Sequence, residues 1–535
     1  MKRLTSLEGF ESTVRRYPER VAVVAEDGRE VSYRDLADRS AALAAALEAR
    51  IPGERCAVLA QNHLEVVEAM LAAMRRGRAN VQLSNRGAVD ELAAAVETTG
   101  AAGLIYDSAL AETAAALAER CGLETTLGIG GAGDGEPYDD ALAAADPTAA
   151  PSTPATDPPE SATFFTSGTT SAPKGILVNQ DQAWLAAVQP ALEMSLAARD
   201  RALVCTPWYH MVTSEAWIVP HLLVGATLVM QPAFDPVETL EAIEAHGITG
   251  LLAVPTQLEA LLGAQADVSA DLDSLRFIRT GGAIVSEDLI ERCRATFDSA
   301  ELFNTYGLTE GVGNLTFAYP EEQDDHPGTI GKESFLWEVR VVESADPPEK
   351  PDPEALVEPG HLGELIGRSL QMTTGYLDRP EATEALFIDD PTGTGEAAVE
   401  GVGDSLVAPG HWLRTGDVAR VDEDRYPIIV DRVDNMIVSG GENIYPEEVQ
   451  RALEAHPGVR AAGVVGIPDE TWGRLVVAAV VADDGVTEAD LEAHCKAGDR
   501  LAKFKRPRRY VFVDELPRSA TGTLVRGEVV ALFGE

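Results

Sequence analysis

Short apolar stretches alternate with amphipathic helical stretches over much of the chain. Between residues 36 and 128, segments rich in Ala, Leu and Glu are separated by short apolar runs such as RCAVLA at 55–60. The alternation returns over 204–311, and shorter strand-like segments lie at 363–368 and 426–433. Such alternation is typical of βαβ units. The pattern therefore predicts an α/β fold built on parallel sheets.

Two proline-rich stretches interrupt this pattern. The first, at 146–160, contains five prolines among Ala, Thr and Asp, and the second lies at 346–359. Clusters of this composition cannot continue a helix or a central strand. Both are therefore predicted to be loops or linkers, and the first of them leads into the most informative motif of the chain.

Length and composition set the broad class. A chain of 535 residues predicts several folding units. Hydrophobic residues at 45% and charged residues at 24% are typical of a globular protein and exclude a disordered or fibrous one. No apolar run approaches the roughly 18 to 20 residues that span a bilayer, and the start, MKRLTSLEGF, has no apolar signal core. We expect a cytoplasmic protein.

The charge balance limits the partners. The sum of 43 Lys and Arg against 87 Asp and Glu is a net charge of −44, which repels nucleic acids and anionic membranes. Residues 435–535 carry only −4 of this charge, so the charge density changes near residue 434. A small-molecule substrate is the expected partner, and the sequence leaves a homodimer open.

Cysteine and lysine are both scarce. The five cysteines are scattered and form no C-x-x-C pair, so neither a disulfide framework nor a zinc site is indicated. Only seven lysines occur, and most positive charge is arginine. A lysine inside a motif is therefore a candidate functional residue.

The strongest chemical motif is FFTSGTTSAPKG at 164–175. A polyphosphate binds where backbone N–H groups approach closely and hydroxyl donors and a point cation are at hand, and this segment supplies all three. It is not a Walker A loop, because proline precedes the lysine and glycine follows it. The candidate phosphate-binding residues are Thr166, Ser167, Gly168, Thr169, Thr170 and Lys174.

The segment resembles the phosphate loop of the adenylate-forming, or AMP-binding, superfamily, which includes acyl- and aryl-CoA synthetases. Further motifs follow in the family's order: GGA at 281–283, NTYGLTE at 304–310, TGYL at 374–377, RTGD at 414–417, DRVDN at 431–435 and SGGENIYP at 439–446. The resemblance implies a large N-terminal α/β domain at 1–433, with parallel-sheet layers, helices and a small β subdomain. It also implies a smaller, mobile α+β C-terminal domain at 434–535, with its hinge at Asp434.

The resemblance assigns ATP to one set of residues. Besides the phosphate loop, the set contains Gly282, Ala283, Asn304, Thr305, Tyr306, Asp417 and Arg432. Tyr306 offers an aromatic face to adenine, Asp417 accepts hydrogen bonds from both ribose hydroxyls, and Arg432 meets ribose and phosphate. Glycine and alanine at 281–283 leave room where a flat group lies against backbone.

Three residues are implied in catalysis. The hydroxyl of Thr309 faces the α-phosphate, and Glu310 is the Mg²⁺-binding carboxylate, a hard ligand for a hard cation. His210 matches a position that gates the acyl or thiol channel, with a purely structural histidine as the alternative. The implied cofactors and cosubstrates are ATP, Mg²⁺ and coenzyme A.

The acyl pocket is assigned by the family's layout. Its predicted lining residues are Trp208, Trp217, Thr256, Gly281 and Gly307. The substrate itself is not identified by these residues.

The chain departs from the family near its C-terminus. The family carries a lysine there that reaches the substrate carboxylate and the α-phosphate, and this chain has Thr523. Removing such a donor typically costs a rate factor on the order of a hundred to a thousand.

Three functions remain open on the sequence. The first is an AMP-forming ligase that adenylates a carboxylate and transfers the acyl group to coenzyme A. The second is a diazotase-type enzyme that activates nitrite with ATP for attack by an arylamine, which places different demands on position 523. The third is a non-catalytic nucleotide-binding relative, against which Thr309, Glu310, Asp417 and Arg432 argue.

Overall fold

A computed structural model describes most of the chain. The described residues are 5–131, 135–151, 154, 156–166, 174–345, 349–389, 410–439, 442–469, 472–497, 501–518 and 524–534. Contacts group the chain into two compact units. The first contains Met1–Gly168, Ala172–Val339 and Gly367–Leu413, and the second contains Arg340–Ile366 and Arg414–Glu535. The domain boundary at Asp434 and the rotation about it stay predictions.

A seven-stranded sheet forms one layer of the first unit. Its spatial order is Glu136–Pro137, Thr125–Ile129, Ala101–Asp107, Arg55–Leu59, Asn80–Gln82, Glu160–Thr166 and Lys174–Asn179. All neighbouring strands are parallel except the last pair. Ala57, Val58 and Leu59 are at most 1% exposed. A continuous apolar run of this kind is typical of a strand that is buried on both faces.

A nine-stranded sheet forms the other layer. Its spatial order is Lys332–Glu333, Gly313–Ala318, Glu301–Leu308, Phe277–Gly281, Gly250–Leu252, Arg201–Val204, Thr227–Met230, Val21–Val24 and Glu30–Ser32. The central strands are parallel, and antiparallel strands lie at both ends. The predicted parallel sheets are confirmed.

Helices connect the strands of both sheets. In the first unit they are Ser6–Arg16, Tyr33–Arg50, Leu64–Arg76, Val89–Thr99, Ala111–Cys121, Tyr138–Ala144, Gln180–Glu193, Val219–Val224, Pro236–His246, Pro255–Val268, Glu287–Thr296, Pro320–Asp325 and Pro380–Leu386. Many begin at a polar cap. At the start of Tyr33–Arg50, the Ser32 hydroxyl accepts a hydrogen bond from the Asp35 amide at 3.1 Å, which satisfies an otherwise free N–H group.

The second unit is smaller and mixes helices with antiparallel and parallel strands. Strand Gly473–Ala482 pairs antiparallel with Val459–Asp469 and parallel with Arg509–Phe512. Further elements are the hairpin Ile437–Ser439 and Glu442–Ile444, the strand Pro427–Arg432, and the helices Pro446–Glu454, Glu488–Lys496 and Arg526–Ala531. The unit also contains most of the strands Leu362–Arg368 and His411–Val421. The predicted fold class, a large α/β part with a smaller α+β part, is confirmed.

His63 ties the two large sheets together. Its Nδ1 lies 2.8 Å from Glu26, which follows strand Val21–Val24, and its Nε2 lies 2.8 Å from Asp107, which ends strand Ala101–Asp107. Burial alone lowers the pKa of His63, but its hydrogen bonds to Asp107 and Glu26 outweigh burial and raise the pKa to about 10. The ring is therefore an imidazolium held between two carboxylates.

The same cluster has the composition of a metal site. Donor atoms of Glu26, His63 and Glu65 lie within 4.8 Å of one another. A metal requires a neutral imidazole nitrogen, whereas both nitrogens of His63 bond carboxylates and its pKa is raised. Glu65 also lies 3.5 Å from the guanidinium of Arg29. We therefore assign the cluster to an ion-pair network.

We expect His63→Gln to lower the free energy of unfolding by about 1 to 3 kcal/mol at pH 6, because two partly buried carboxylates lose their cation. The folded pKa lies above the ordinary value, so this stabilisation is complete below about pH 6.5 and disappears as the pH rises through about 10. Urea denaturation at pH 6, 8 and 9.5 measures the difference in free energy of unfolding between wild type and variant, which should narrow as the pH rises. The exposed His361→Gln is the control, and a difference that widens with pH would contradict the assignment.

Candidate active site

The phosphate-loop motif bridges two paired strands. Glu160–Thr166 and Lys174–Asn179 are antiparallel neighbours, and Thr166 lies directly opposite Lys174. Both ends of the motif are thus fixed by a sheet. Ser167, Gly168, Thr169 and Thr170 lie outside the described residues.

Lys174, Tyr376 and Glu310 form a continuous chain of contacts. The Lys174 ammonium lies 5.0 Å from the centre of the Tyr376 ring, within reach of a cation–π interaction. The Tyr376 hydroxyl donates a hydrogen bond of 2.5 Å to Oε1 of Glu310. The structure therefore brings the cation of the phosphate-loop motif and the predicted metal-binding carboxylate to one place.

The main chain around Glu310 is also held. Thr309–Gly311 form one turn of 3₁₀ helix, and the Thr373 amide donates to the Glu310 carbonyl at 2.9 Å. The next residue, Val312, has φ of 53°. A left-handed backbone is rare for a β-branched residue and costs free energy, so the surrounding structure must impose it. Thr309 and Glu310 are half-buried and project from this constrained turn.

Gly281 ends a buried strand where two strands approach closely. It pairs with Thr305 of the parallel neighbour, and its φ is 152°. A Cβ at this position would lie 2.1 Å from the Thr305 carbonyl oxygen. Glycine is therefore required by the sheet itself, in addition to any role in the predicted pocket. The two residues that follow, Gly282 and Ala283, are exposed.

The side chains of Asn304 and Thr305 bond the protein backbone. The Asn304 amide donates to the Thr329 carbonyl at 3.0 Å, and the Thr305 hydroxyl donates to the Thr280 carbonyl at 3.0 Å. Both residues are buried. They fix the strand that leads to Tyr306, and their predicted contact with ATP stays a prediction.

Tyr306 and Gly307 lie at an irregular step of the sheet. Tyr306 pairs with Thr316, and the register shifts before Gly307 pairs with Asn314. A Cβ on Gly307 would lie 2.3 Å from the Gly313 carbonyl oxygen. The shift re-aims the chain at the start of the Thr309 turn, as bulges near functional sites commonly do. Tyr306 is half-buried, and its contact with adenine stays a prediction.

His210 is a neutral histidine. Burial, with a smaller contribution from the positive charge of Arg86, lowers its pKa to about 4. Its ring lies 4.7 Å from that of Tyr209. A neutral imidazole can donate one hydrogen bond and accept another at pH 7, and the gating role of His210 stays a prediction.

Trp208 and Trp217 are wholly buried. The indole of Trp208 donates to the Ala60 carbonyl and that of Trp217 to the Leu203 carbonyl, each at 2.9 Å. Trp217 also packs edge-on against Phe277. These contacts give both rings a structural role. Their lining of the acyl pocket, like that of the exposed Thr256, stays a prediction.

Asp417 and Arg432 lie together in the second unit. They are paired residues of adjacent antiparallel strands, and the Arg432 guanidinium lies 3.6 Å from Oδ1 of Asp417. The Arg432 guanidinium also donates to the Thr415 carbonyl at 3.4 Å. The side chain of Asp417 is only 12% exposed. The two residues that the sequence assigns to ribose are therefore neighbours.

Tyr376 was not among the residues predicted for the site. Its motif, TGYL at 374–377, belongs to the recognised series, but the motif does not reveal its partners. The Tyr376 amide donates to the Thr383 hydroxyl at 2.9 Å, and the Leu377 amide donates to the Gly175 carbonyl at 2.8 Å. The motif thus anchors Tyr376 beside the phosphate-loop strand. Thr523 lies outside the described residues.

Comparisons with known proteins agree with this geometry. Residues 10–377 match the family described as AMP-binding enzyme, and residues 448–523 match the AMP-binding enzyme C-terminal domain. The chain is 35% identical over 514 residues to a feruloyl-CoA synthase of an Amycolatopsis species, covering 96% of each chain. It is 31% identical to a 2-succinylbenzoate–CoA ligase of Bacillus velezensis, covering 95% of this chain and 94% of that one.

A solved structure is also similar. It is the O-succinylbenzoate coenzyme A synthetase from Bacillus subtilis in complex with ATP and a magnesium ion. The TM-score is 0.80 at 28% sequence identity, and the match covers 97% of this chain and 98% of that chain.

We expect Tyr376→Phe to lower ATP-dependent pyrophosphate release about tenfold, since Glu310 loses a charge-assisted hydrogen bond that holds it in position. ATP affinity should change less than twofold, because the Tyr376 hydroxyl bonds the Glu310 carboxylate and is not among the residues predicted to bind ATP. Turnover at saturating Mg²⁺ and ATP, with calorimetry for binding, measures both. Tyr510→Phe is the control, because that buried hydroxyl has no hydrogen-bond partner in the part of the chain that the structure describes. Unchanged turnover would refute the positioning role.

Proposed function

The chain belongs to the family of AMP-binding enzymes, and on that premise we propose that it is an ATP-dependent, AMP-forming ligase that adenylates a carboxylate and transfers the acyl group to coenzyme A. The curated relatives described above are a CoA synthase and a CoA ligase, each aligned over almost the whole chain. The nitrite-activating alternative receives no support from them.

The observation that carries the proposal is the contact chain of Lys174, Tyr376 and Glu310. Adenylation joins a carboxylate oxygen to the α-phosphorus of ATP and breaks its bond to pyrophosphate. The thiol of coenzyme A then takes the acyl group and AMP leaves. The first step brings anions together, so it requires a cation and a metal-binding carboxylate at the phosphates. The described residues supply both beside the predicted phosphate loop.

The remaining residues have roles that follow from their chemistry. Glu310 is the proposed ligand of Mg²⁺, which when bound neutralises the phosphate charge. Asp417 would accept hydrogen bonds from the ribose hydroxyls, and the neutral His210 would stand at the acyl entrance. Thr309 offers its hydroxyl to the α-phosphate from the turn that holds Glu310.

The cellular setting is a further part of the proposal. No described helix combines the length and the apolar character that crossing a membrane requires. We place the enzyme in the cytoplasm, where ATP and coenzyme A are available to it. Its partners are then the small-molecule substrates.

The decisive experiment supplies ATP and Mg²⁺ with a panel of carboxylates, and separately nitrite with arylamines. Pyrophosphate and AMP are followed with and without coenzyme A. We expect carboxylate-dependent AMP formation, with an acyl-CoA product when coenzyme A is present. Nitrite-dependent AMP formation without response to any carboxylate would overturn the proposal.

We expect Asp417→Ala to raise the ATP dissociation constant at least tenfold, because each charge-assisted hydrogen bond contributes about 1.5 to 3 kcal/mol. The fold should survive, since the pairing of Asp417 with Arg432 in adjacent strands is made by the main chain and does not need the carboxylate. Calorimetry measures the affinity and circular dichroism the fold. The exposed Asp514→Ala is the matched control. A folded variant with unchanged ATP affinity would contradict the assignment.

Thr523→Lys tests how the chain works without the family's lysine. A restored ammonium should neutralise charge between carboxylate and phosphate, so we expect carboxylate adenylation to accelerate about tenfold, which corresponds to about 1.4 kcal/mol. Single-turnover AMP formation by wild type and variant measures the effect. If another cation has taken over, the variant will show no acceleration with the best carboxylate.

A further inference from the structure

Glu215 is a buried carboxyl group that has no hydrogen-bond partner among the described residues. The residue is 0% exposed, and neither Oε1 nor Oε2 bonds any described group. Burying a polar group in this way costs free energy, and native proteins rarely tolerate it without a reason. An apolar side chain of similar size, such as leucine, would avoid this cost. The position of Glu215 therefore calls for a functional explanation.

The backbone at Glu215 is unusual as well. Residues Ser214–Ile218 form a π-helical segment between Met211–Thr213 and Val219–Val224. Such single-turn insertions are often found at functional sites, because the extra residue re-aims a side chain. Burial raises the pKa of Glu215 to about 8. At pH 7 the group is thus mostly an uncharged carboxylic acid, which can both donate and accept a hydrogen bond.

The buried guanidinium of Arg279, in the strand Phe277–Gly281, contacts the segment that carries Glu215. Arg279 donates to the Ala216 carbonyl and to Oδ1 of Asn314, each at 2.6 Å, and to the Thr305 hydroxyl at 3.4 Å. All three partners are neutral, and among the described residues no carboxylate pairs with Arg279. Glu215, an acid without a described partner, and Arg279, a cation without a described counter-ion, therefore lie on two segments that are in contact at Ala216.

These two segments lead to the proposed reaction site. Glu215 follows His210 by five residues, and Arg279 precedes Gly281 by two on the strand Phe277–Gly281. The hydrogen bond from Arg279 to Ala216 holds the segments in contact. The amide nitrogen of Asn314 is also buried without a partner. Among the described residues, Glu215 and Asn314 thus each present an unsatisfied polar group on elements next to the predicted acyl pocket.

We propose that Glu215 determines the specificity of the enzyme by binding an amino or hydroxyl group at the end of the acid substrate remote from the reacting carboxylate. The proposal rests on the proposed function, because it takes the acid to bind between His210 and Gly281. An N–H or O–H donor of the substrate would give Glu215 the hydrogen-bond partner that it lacks among the described residues. A substrate without such a group leaves the carboxyl unsatisfied and binds more weakly.

The test measures binding of matched acids to the full chain in the presence of AMP, with no turnover required. Each set contains a hydroxy, an amino and a methyl member: 4-substituted benzoates, 4-substituted cinnamates, and 6-hydroxyhexanoate, 6-aminohexanoate and heptanoate. The variants are Glu215→Leu and Glu215→Gln. Ser6→Ala is the control, because it removes a buried, unpartnered hydroxyl in the helix Ser6–Arg16.

We expect wild type to bind the hydroxy or amino member at least tenfold more tightly than the methyl member in one set. The hydroxy and amino arms distinguish the two donors. In Glu215→Leu the affinities for the donor-bearing acid and the methyl acid should differ by less than twofold. Glu215→Gln should keep part of the wild-type preference, and Ser6→Ala should keep all of it. The thermal midpoint of Glu215→Leu should be equal to or above that of wild type, because an unsatisfied group is removed.

Two results would overturn the inference: no preference for a donor in any set, or a preference that Glu215→Leu retains. AMP formation is measured in parallel and tests the proposed function separately. A Glu215-dependent preference in a protein that forms no AMP would count against the ligase alone. AMP formation without that preference would count against the role of Glu215 alone.

Discussion

A carboxylate that is to hold a metal ion must be in position before the ion arrives, and Tyr376 would meet that requirement for Glu310, the proposed Mg²⁺ ligand. Its hydroxyl bonds Glu310, its ring lies under the ammonium of Lys174, and its amide bonds Thr383. The side chain thereby joins Lys174, Glu310 and its own motif, which are far apart in sequence, and the main-chain amide anchors Tyr376 locally. Because a preorganised site needs no rearrangement during the reaction, the proposed adenylation would depend on these contacts.

The sequence was most informative where a local pattern has a local cause. Alternating apolar and amphipathic segments predicted the parallel sheets, since strands that are buried on both faces are apolar throughout. The motifs also placed Asp417 and Arg432 in one site, and strand pairing makes them neighbours. For Gly281, room for a ligand was only part of the reason why glycine is needed. A side chain there would strike the Thr305 carbonyl of the adjacent strand whether or not a ligand is bound.

Contacts between distant segments could not be predicted in this way. The bond between Tyr376 and Glu310 spans 66 residues, and no local pattern encodes it. His63 and its two carboxylates meet only because two sheets pack together. The indoles of Trp208 and Trp217 likewise find backbone acceptors that composition does not reveal. Family motifs indicate where such residues stand, whereas the packing of the chain decides what they touch.

The order of strands in the nine-stranded sheet has a consequence for synthesis on the ribosome. Val21–Val24 pairs with Thr227–Met230, so its parallel partner is made roughly 200 residues later. At about 5 to 20 residues per second, the strand waits about 10 to 40 seconds with only the short strand Glu30–Ser32 beside it. A two-stranded ribbon is barely stable alone, and its open edge can recruit other chains. The first 100 residues contain 14 Lys and Arg against 15 Asp and Glu, a net charge of −1, so charge repulsion gives this early strand little protection against association.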